Sequence, residues 1–276
     1  MNLVIQGPEL QQAQADEIAR LSGSTRIEPA SRRAFRLRNA VRNESVGPYC
    51  EQRRIDYAYM PEGRCFADLK LLAMDMDSTL ITIECIDELG DLAGKKTEIA
   101  AITARAMRGE IEYRESLRRR VAALAGLPEI SLEKIYEERL TLTPGADVLV
   151  TACKKHGVKL LLVSGGFTFF TERLKARLGI DYTLSNVLEL KGGRLTGALA
   201  GDIVDADAKA KKFLQVAAQL GTSKAHTVAI GDGANDLKMM SEAGVSVAFR
   251  AKPVVRAQAS CALNWTGLDG VVNLFE

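Results

Sequence analysis

The sequence has 276 residues, of which 47% are hydrophobic and 26% are charged, a composition typical of a globular protein and not of a disordered or collagen-like chain. The formal net charge of +2 argues against nucleic acid and anionic membranes as partners, and no apolar run reaches the ~18 residues of a transmembrane helix. Five scattered cysteines without a C-x-x-C pair, together with an N-terminus that lacks a signal-peptide pattern, favour a cytoplasmic protein over a secreted one.

Residues 1–68 are expected to form a small α+β module. Asn2–Gln6 is predicted as a strand, and residues 9–21 have the periodicity of a helix. Residues 34–37 and 55–59 are further predicted strands, with a short helix between them. The sequence leaves open whether this module only packs on the main domain or acts as a sensor.

From residue 69 onward, apolar runs alternate with helical stretches. Four runs have the composition of strands that are buried on both faces: 69–74, 158–163, 226–230 and 245–249. Three helices are predicted in the same part of the chain: 146–155, 169–178 and 208–220. A Gly192-Gly193 turn between 184–190 and 194–199 predicts a β-hairpin. The alternation predicts an α/β fold with a doubly wound, Rossmann-like parallel sheet.

One long stretch interrupts this alternation. Residues 86–140 show only helical periodicity, so a helical insertion separates the first core strand from the next. We predict that residues 89–141 form a cap over the strand ends, and that residues 69–88 and 142–276 form the core domain.

Polar residues follow three of the predicted core strands. Asp75 and Asp77 come after the first, Ser164-Gly165-Gly166 after the second, and Gly231-Asp232-Gly233-Ala234-Asn235-Asp236 after the third. Ligands of open parallel sheets bind beyond the carboxyl ends of the strands, so we expect these residues to meet. Several carboxylates at one point repel each other unless a cation compensates, and hard oxygen ligands suit a Mg²⁺ ion that also contacts a substrate phosphate. The sequence therefore predicts a Mg²⁺ site that handles phosphate.

Two other interpretations of these motifs are weaker. In the GDGAND segment, Asp236 stands at the last position of the G-x-G-x-x-G pattern, where its negative charge would oppose a dinucleotide pyrophosphate. The DMDSTLITIE segment lacks the third oxygen ligand and the sixth-position glycine of an EF-hand loop.

Taken together, the motifs resemble those of the haloacid dehalogenase superfamily, and within it those of the bacterial phosphoserine phosphatases. The resemblance rests on five segments: DMDSTLITIECIDEL (75–89), SLRRRV (116–121), VSGGFTFF (163–170), GDIVDADAKA (201–210) and GDGANDL (231–237). It covers about residues 70–276 and no part of the N-terminal module. It implies hydrolysis of O-phospho-L-serine to L-serine and phosphate through an aspartyl-phosphate intermediate, the last step of serine biosynthesis.

The resemblance also implies the residues of the reaction centre. Asp75 would be the nucleophile, and Asp77 the general acid and then the general base. Mg²⁺ would be held by an oxygen of Asp75, the backbone carbonyl of Asp77 and the carboxylate of Asp232. Asp236 would lie behind these ligands or reach the ion through water.

Further residues are implied for the phosphate end of the substrate. Ser164 and the backbone amide of Gly165 would bind phosphoryl oxygens at the N-terminus of the following helix. Lys209 aligns with the phosphate-binding lysine of the family, although Lys211 and Lys212 are close by. Asn235 would reach the substrate or its phosphate.

The amino-acid end of the substrate is assigned separately by the same resemblance. Glu84 would bind the α-ammonium group, and Arg120 would bind the α-carboxylate with its planar guanidinium. Met107 and Tyr113 are expected to pack around the small side chain of the substrate.

Two alternatives to this function remain open at this point. One is a related phosphatase or phosphotransferase that acts on another small phosphate ester, against which the pair of Glu84 and Arg120 argues. The other is a non-catalytic sensor of phosphate or amino acids that keeps the fold without turnover. The expected partner is a small-molecule substrate, and a homodimer is left open.

Overall fold

A computed structural model of the protein describes residues 1–276 and contains two β-sheets. The first six elements are β1 (Asn2–Gln6), α1 (Gln12–Ser22), β2 (Arg26–Ser31), β3 (Ala34–Arg38), α2 (Val46–Gln52) and β4 (Asp56–Met60). The four strands form an antiparallel sheet in the order β2-β3-β1-β4. The N-terminal part of the chain is therefore an α+β unit with its own sheet, as the sequence predicted.

Two details of this unit differ from the sequence prediction. Helix α1 begins at Gln12 and not at residue 9, because residues 7–10 form a turn that is closed by a hydrogen bond from Leu10 N to Gly7 O. Strand β2 was not predicted, because it contains Pro29 and none of its residues is buried. It lies at the edge of the sheet, where a proline is tolerated since no further strand needs its missing N–H.

The second sheet has seven strands in the order β11-β10-β9-β5-β6-β7-β8. These are β5 (Leu71–Met74), β6 (Lys159–Phe167), β7 (Tyr182–Lys191), β8 (Arg194–Ala200), β9 (Thr227–Gly231), β10 (Val245–Phe249) and β11 (Cys261–Leu263). All neighbours are parallel except β7 and β8, which form the predicted hairpin. The expected α/β class is confirmed.

Helices cover both faces of the second sheet. They are α7 (Ala146–Lys155), α8 (Thr168–Leu178), α9 (Ala206–Gln219), α10 (Leu237–Glu242), α11 (Pro253–Arg256) and α12 (Gly270–Asn273). Alternate residues of β5 belong to different apolar clusters: Leu72 and Met74 lie in a cluster of 46 buried residues, and Leu71 and Ala73 in one of 13. Because successive side chains of a strand point to opposite faces, the sheet is buried on both sides.

Strand β6 is longer than the sequence indicated. The predicted strand ended at Val163, but β6 continues to Phe167 with a register shift against β7. The irregular segment is held by a hydrogen bond from Gly166 N to Ser164 Oγ of 2.8 Å. Helix α8 therefore starts at Thr168, and the expectation that Gly165 lies at the helix N-terminus is wrong.

Four helices fill the stretch between β5 and α7: α3 (Cys85–Leu92), α4 (Lys96–Met107), α5 (Tyr113–Ala122) and α6 (Ile130–Glu138). Apolar residues of these helices, such as Leu117 and Ile135, join the larger core cluster. The end of α5 lies on the hairpin, where Gly126 N donates to Leu195 O at 2.8 Å and Arg194 donates to Gly126 O at 2.7 Å. No helix of the protein combines the length and the apolar character needed to cross a bilayer.

The N-terminal sheet is joined to the larger unit by buried polar contacts. Asp56, only 2% exposed, accepts hydrogen bonds from the backbone N–H groups of Asn264 at 2.7 Å, Trp265 at 3.1 Å and Thr266 at 2.9 Å. Arg36 donates to the carbonyl oxygens of Asn273 at 3.0 Å and Phe275 at 2.5 Å. These contacts tie the two units together along residues 264–275.

We expect Asp56→Ala to destabilise the protein, because it leaves three backbone donors without their acceptor. The expected loss is about 2–4 kcal/mol in the free energy of unfolding, measured by urea denaturation. Asp68→Ala is the matched control, since Asp68 is exposed and makes no side-chain hydrogen bond. Equal stability of the two variants would contradict the structural role of Asp56.

Candidate active site

The turn after β5 positions two of the predicted carboxylates. Asp75 follows the strand directly, is 5% exposed, and accepts a hydrogen bond from Met76 N at 2.8 Å. Residues 76–80 form one wide helical turn in which Ser78 has φ +56°, a left-handed conformation that is uncommon outside glycine. The turn brings Asp77 to the start of α3, where its Oδ1 accepts from Cys85 N at 2.9 Å.

Lys209 lies fully buried between two carboxylates. Its Nζ is 2.9 Å from Asp75 Oδ1 and 2.7 Å from Asp236 Oδ1. Helix α9 carries this lysine, and Asp205 caps the helix by accepting from Ala208 N at 3.0 Å. Burial acts to lower the pKa of Lys209, but the charges of Asp236 and Asp75 outweigh it and raise the pKa, so the ammonium stays protonated.

Three carboxylates converge beside this lysine. Oxygens of Asp75, Asp232 and Asp236 all lie within 4.8 Å of one another. Burial, and after it the charge of Asp236, raises the pKa of Asp75 well above its usual value and that of Asp232 to about 7. One ammonium does not balance three carboxylates, and this all-oxygen donor set fits a hard divalent cation.

The predicted metal ligands differ in their positions and in their hydrogen-bond partners. The Asp77 carboxylate is not part of the cluster, and the expected role of its backbone carbonyl as a ligand stays a prediction. Asp236 belongs to the cluster, but its two oxygens are already engaged by Lys209 and by Gly233 N, the latter at 3.1 Å. Thr79 Oγ1 donates to Asp232 Oδ1 at 3.3 Å and orients that carboxylate.

A cavity of about 660 Å³ opens above this cluster. Seven of the ten predicted site residues line it: Asp75, Asp77, Glu84, Arg120, Gly165, Asp232 and Asn235. The other three, Ser164, Lys209 and Asp236, are completely buried beneath its floor. Ser164 Oγ lies 3.4 Å from Asp77 Oδ2, so it is in contact with one of the predicted carboxylates.

Glu84 and Arg120 line the same cavity, Glu84 from the residue before α3 and Arg120 from within α5. Glu84 precedes α3, and its carboxylate accepts from Ser78 Oγ at 2.6 Å. Arg120 on α5 forms no ion pair, and its Nε donates only to Ser116 O at 3.4 Å. The cavity therefore holds a carboxylate and an unpaired guanidinium in addition to the acidic cluster.

Several residues of the cavity wall were missed by the sequence analysis. Ser116 and Lys252 line it, and Lys252 N donates to Asp232 O at 3.3 Å. Arg114 Nε binds Asp205 Oδ2 at 2.7 Å, which joins α5 to α9 at the rim. Ser116 opens the SLRRRV segment and could have been noticed there, whereas nothing in the sequence marks Lys252 or the pairing of Arg114 with Asp205.

Comparison with known proteins identifies the class to which this fold and site belong. A model of the haloacid dehalogenase-like hydrolases matches residues 72–241. The chain therefore belongs to the haloacid dehalogenase-like hydrolase family, which confirms the superfamily indicated by the motifs. A model of a domain of unknown function matches residues 3–45, within the N-terminal unit.

Several similar proteins of this family are named phosphoserine phosphatases. A phosphoserine phosphatase from Polaromonas sp. is 58% identical over 215 residues, which are 76% of this chain and 91% of that protein. A crystal structure of a probable phosphoserine phosphatase from Vibrio cholerae superposes with a TM-score of 0.87 at 38% identity, and covers 99% of this chain and 86% of its own. A substrate-bound phosphoserine phosphatase complex superposes with a TM-score of 0.71 at 36% identity, over 75% of this chain and 99% of its own.

The acidic cluster makes a prediction about pH and divalent cations. Without a cation, the pKa of Asp232 is raised from 3.8 to about 7, so the folded state holds more protons than the unfolded state and stability falls as pH rises across this range. A divalent cation bound by these carboxylates would compete with the protons. Mg²⁺ is therefore expected to raise the Tm more at about pH 8 than at about pH 6. At a concentration of 100 times its Kd, the total stabilisation by a bound ion is ~2.7 kcal/mol.

Asp232→Asn should reduce both the decline in Tm with pH and the rise in Tm with Mg²⁺. Asp202→Asn is the control, because Asp202 is exposed and lies outside the cavity. A full rise in Tm with Mg²⁺ in the Asp232 variant would exclude Asp232 as a ligand.

Proposed function

We propose that the chain is a Mg²⁺-dependent phosphoserine phosphatase, which hydrolyses O-phospho-L-serine to L-serine and phosphate. The observation that carries the proposal is the composition of one cavity. At its floor, three carboxylates converge beside a buried lysine that is paired with two of them. On its wall a carboxylate, Glu84, and an unpaired guanidinium, Arg120, are available to the two charged groups of an amino acid. The names of the relatives support the same substrate.

In the proposed first half-reaction, a carboxylate oxygen of Asp75 attacks phosphorus and the ester P–O bond breaks. Asp77 gives its proton to the departing serine oxygen. Burial, and after it the charge of Glu84, raises the pKa of Asp77 to about 7, so a protonated Asp77 is available near neutral pH. The products of this step are serine and an aspartyl phosphate on Asp75.

In the proposed second half-reaction, water attacks the phosphorus of the aspartyl phosphate. Asp77, now ionised, takes a proton from this water, and the bond between phosphorus and the Asp75 oxygen breaks. Phosphate leaves, and both carboxyl groups return to their starting states. The use of one residue as acid and then as base needs a single position near both oxygens, and Asp77 in the cavity beside Asp75 supplies it.

The remaining residues of the floor bind the phosphoryl group in this proposal. Ser164, the Gly165 amide, Lys209 and Asn235 would donate to its oxygens. Mg²⁺, held by the carboxylates of Asp75 and Asp232 and the carbonyl of Asp77, would neutralise negative charge during the attack.

The proposal extends to the organisation of the chain. Residues 89–141 would act as a cap, residues 69–88 and 142–276 as the catalytic core, and residues 1–68 as an N-terminal module. Four of the five cysteines are buried and all are free thiols, which supports a reducing compartment such as the cytoplasm.

Phosphate release from a panel of esters tests the substrate. We expect O-phospho-L-serine to be preferred over p-nitrophenyl phosphate and over phosphorylated sugars, with a requirement for Mg²⁺. Preference for another ester would support the alternative of a different small-molecule phosphatase, and absence of turnover on every ester would support a non-catalytic sensor.

Asp75→Asn should reduce kcat by more than about 10³-fold, because an amide cannot form the acyl phosphate. Beryllium fluoride, a mimic of the phosphoryl group, should bind the wild-type protein and fail to bind this variant in calorimetry. Circular dichroism checks that the fold is kept, and Asp202→Asn serves as the control. Substantial turnover by the Asn variant, with deamidation excluded by mass spectrometry, would refute the covalent mechanism.

Arg120→Ala should lower kcat/KM for phosphoserine by about 30- to 1000-fold, the equivalent of ~2–4 kcal/mol for a lost charge-assisted contact. The loss for p-nitrophenyl phosphate, which has no carboxylate, should be much smaller. Arg118→Ala is the matched control, since Arg118 is exposed on the same helix and does not line the cavity. Equal losses on both substrates would mean that Arg120 supports the fold or the phosphoryl site.

A further inference from the structure

Helix α5 presents four polar side chains to the cavity: Arg114, which is paired with Asp205, and Tyr113, Ser116 and Arg120. The last three are spaced by three and four residues, which places them on one face of the helix. Arg120 already has a role in the proposed function. The hydroxyl groups of Tyr113 and Ser116 have none, and neither forms a hydrogen bond within the chain.

Ser116 is the clearer case of an unused polar group. The residue is 0% exposed, and its Oγ has no hydrogen-bond partner. A serine inside a helix commonly donates to the carbonyl one turn back, but here the side chain does not, while the backbone N–H of Ser116 donates to Glu112 O at 2.9 Å. Because a buried hydroxyl without a partner is unfavourable, a ligand in the cavity that Ser116 lines would supply the missing partner after a small movement of the side chain.

Tyr113 brings a hydroxyl to the phosphate end of the cavity. Its Oη lies so close to Gly165 that a Cβ at this glycine would overlap it. Gly165 is the residue whose amide is proposed to bind the phosphoryl group. Burial raises the pKa of Tyr113 above its usual value, so the hydroxyl keeps its proton at neutral pH and can donate it in a hydrogen bond.

We infer that these two hydroxyls bind opposite ends of the substrate. Tyr113 Oη donates to a phosphoryl oxygen beside the Gly165 amide, and Ser116 Oγ donates to the α-carboxylate beside Arg120. The inference rests on the proposed function, since it names groups of phosphoserine. It assigns to Tyr113 a polar contact in addition to the apolar packing that was expected from the sequence.

The geometry of α5 supports the assignment of the two hydroxyls to opposite ends of the substrate. Tyr113 and Arg120 are seven residues apart, which is about 10 Å along the axis. Ser116 lies between them, one turn from Arg120, whose Nε already donates to its carbonyl oxygen. A small substrate that lies along α5 would therefore meet Tyr113 at one end, and Ser116 with Arg120 at the other.

Tyr113→Phe tests the phosphoryl contact, because it removes one oxygen and keeps the ring. We expect kcat/KM to fall about tenfold for phosphoserine and for p-nitrophenyl phosphate alike, and the inhibition constant of inorganic phosphate to rise by a similar factor. Tyr136→Phe is the matched control, since Tyr136 lies on α6 and outside the cavity. Unchanged phosphate inhibition in Tyr113→Phe would overturn this half of the inference.

Ser116→Ala tests the carboxylate contact. It should lower kcat/KM for phosphoserine about tenfold or more, and should affect O-phosphoethanolamine, which lacks the carboxylate, less than threefold. Ser131→Ala is the control, because Ser131 lies on α6 and outside the cavity. Ser116→Cys keeps a side chain of similar size, so it separates loss of the hydrogen-bond donor from a packing defect. Equal losses on the two esters would overturn the assignment of Ser116.

These outcomes are separable from failure of the proposed function. If the wild-type protein does not prefer phosphoserine, the function fails, and the Ser116 assignment fails with it. The effect of Tyr113→Phe on inhibition by inorganic phosphate would still test that hydroxyl, because the measurement needs only a site that binds phosphate.

Discussion

The buried Lys209 ammonium, shared between Asp75 and Asp236, is the interaction on which the rest of the site depends. Without it, two nearly inaccessible carboxylates would face each other unpaired, and breaking such a buried pair typically costs about 3–5 kcal/mol. With it, the Asp75 carboxylate is held at the end of β5 by a contact of 2.9 Å. The lysine comes from α9, so α9 must be docked on the sheet before the strand ends can form a site.

The Lys209 ammonium is a single positive charge beside three carboxylates, so the floor of the cavity carries excess negative charge. The cavity therefore has two parts that differ in charge, the floor and the wall. The floor, built from strand ends, holds the acidic cluster that is proposed to bind a divalent cation, and that cation would in turn attract the phosphoryl group. The wall, built from the region of α3 and from α5, carries Glu84 and the unpaired Arg120, which are proposed to select what is attached to the phosphate. The two parts meet where Tyr113 of α5 approaches Gly165 of β6, and a Cβ at this position would displace the Tyr113 hydroxyl.

The sequence allowed the floor to be predicted better than the wall. The apolar runs before Asp75 and Asp232 end at the same edge of the sheet, so their meeting follows from parallel topology alone. The position of Gly165 could not be predicted, because the extension of β6 depends on a side-chain contact between Ser164 and Gly166. The unpaired state of Ser116 was equally inaccessible, since helical periodicity shows that a residue is buried but not whether its hydroxyl has a partner.

The contacts of the N-terminal module could not be predicted from the sequence either, because residues 1–68 contain no recognised motif. Asp56 holds the backbone of residues 264–266, directly after β11. Strand β11 pairs with β10, and the connection between them carries Lys252, whose backbone N–H donates to Asp232 O on the cavity floor. No hydrogen bond or ion pair joins residues 1–68 to a residue that lines the cavity. Because Asp56 holds the backbone that follows β11, one path from the module to the cavity floor runs through residues 250–266.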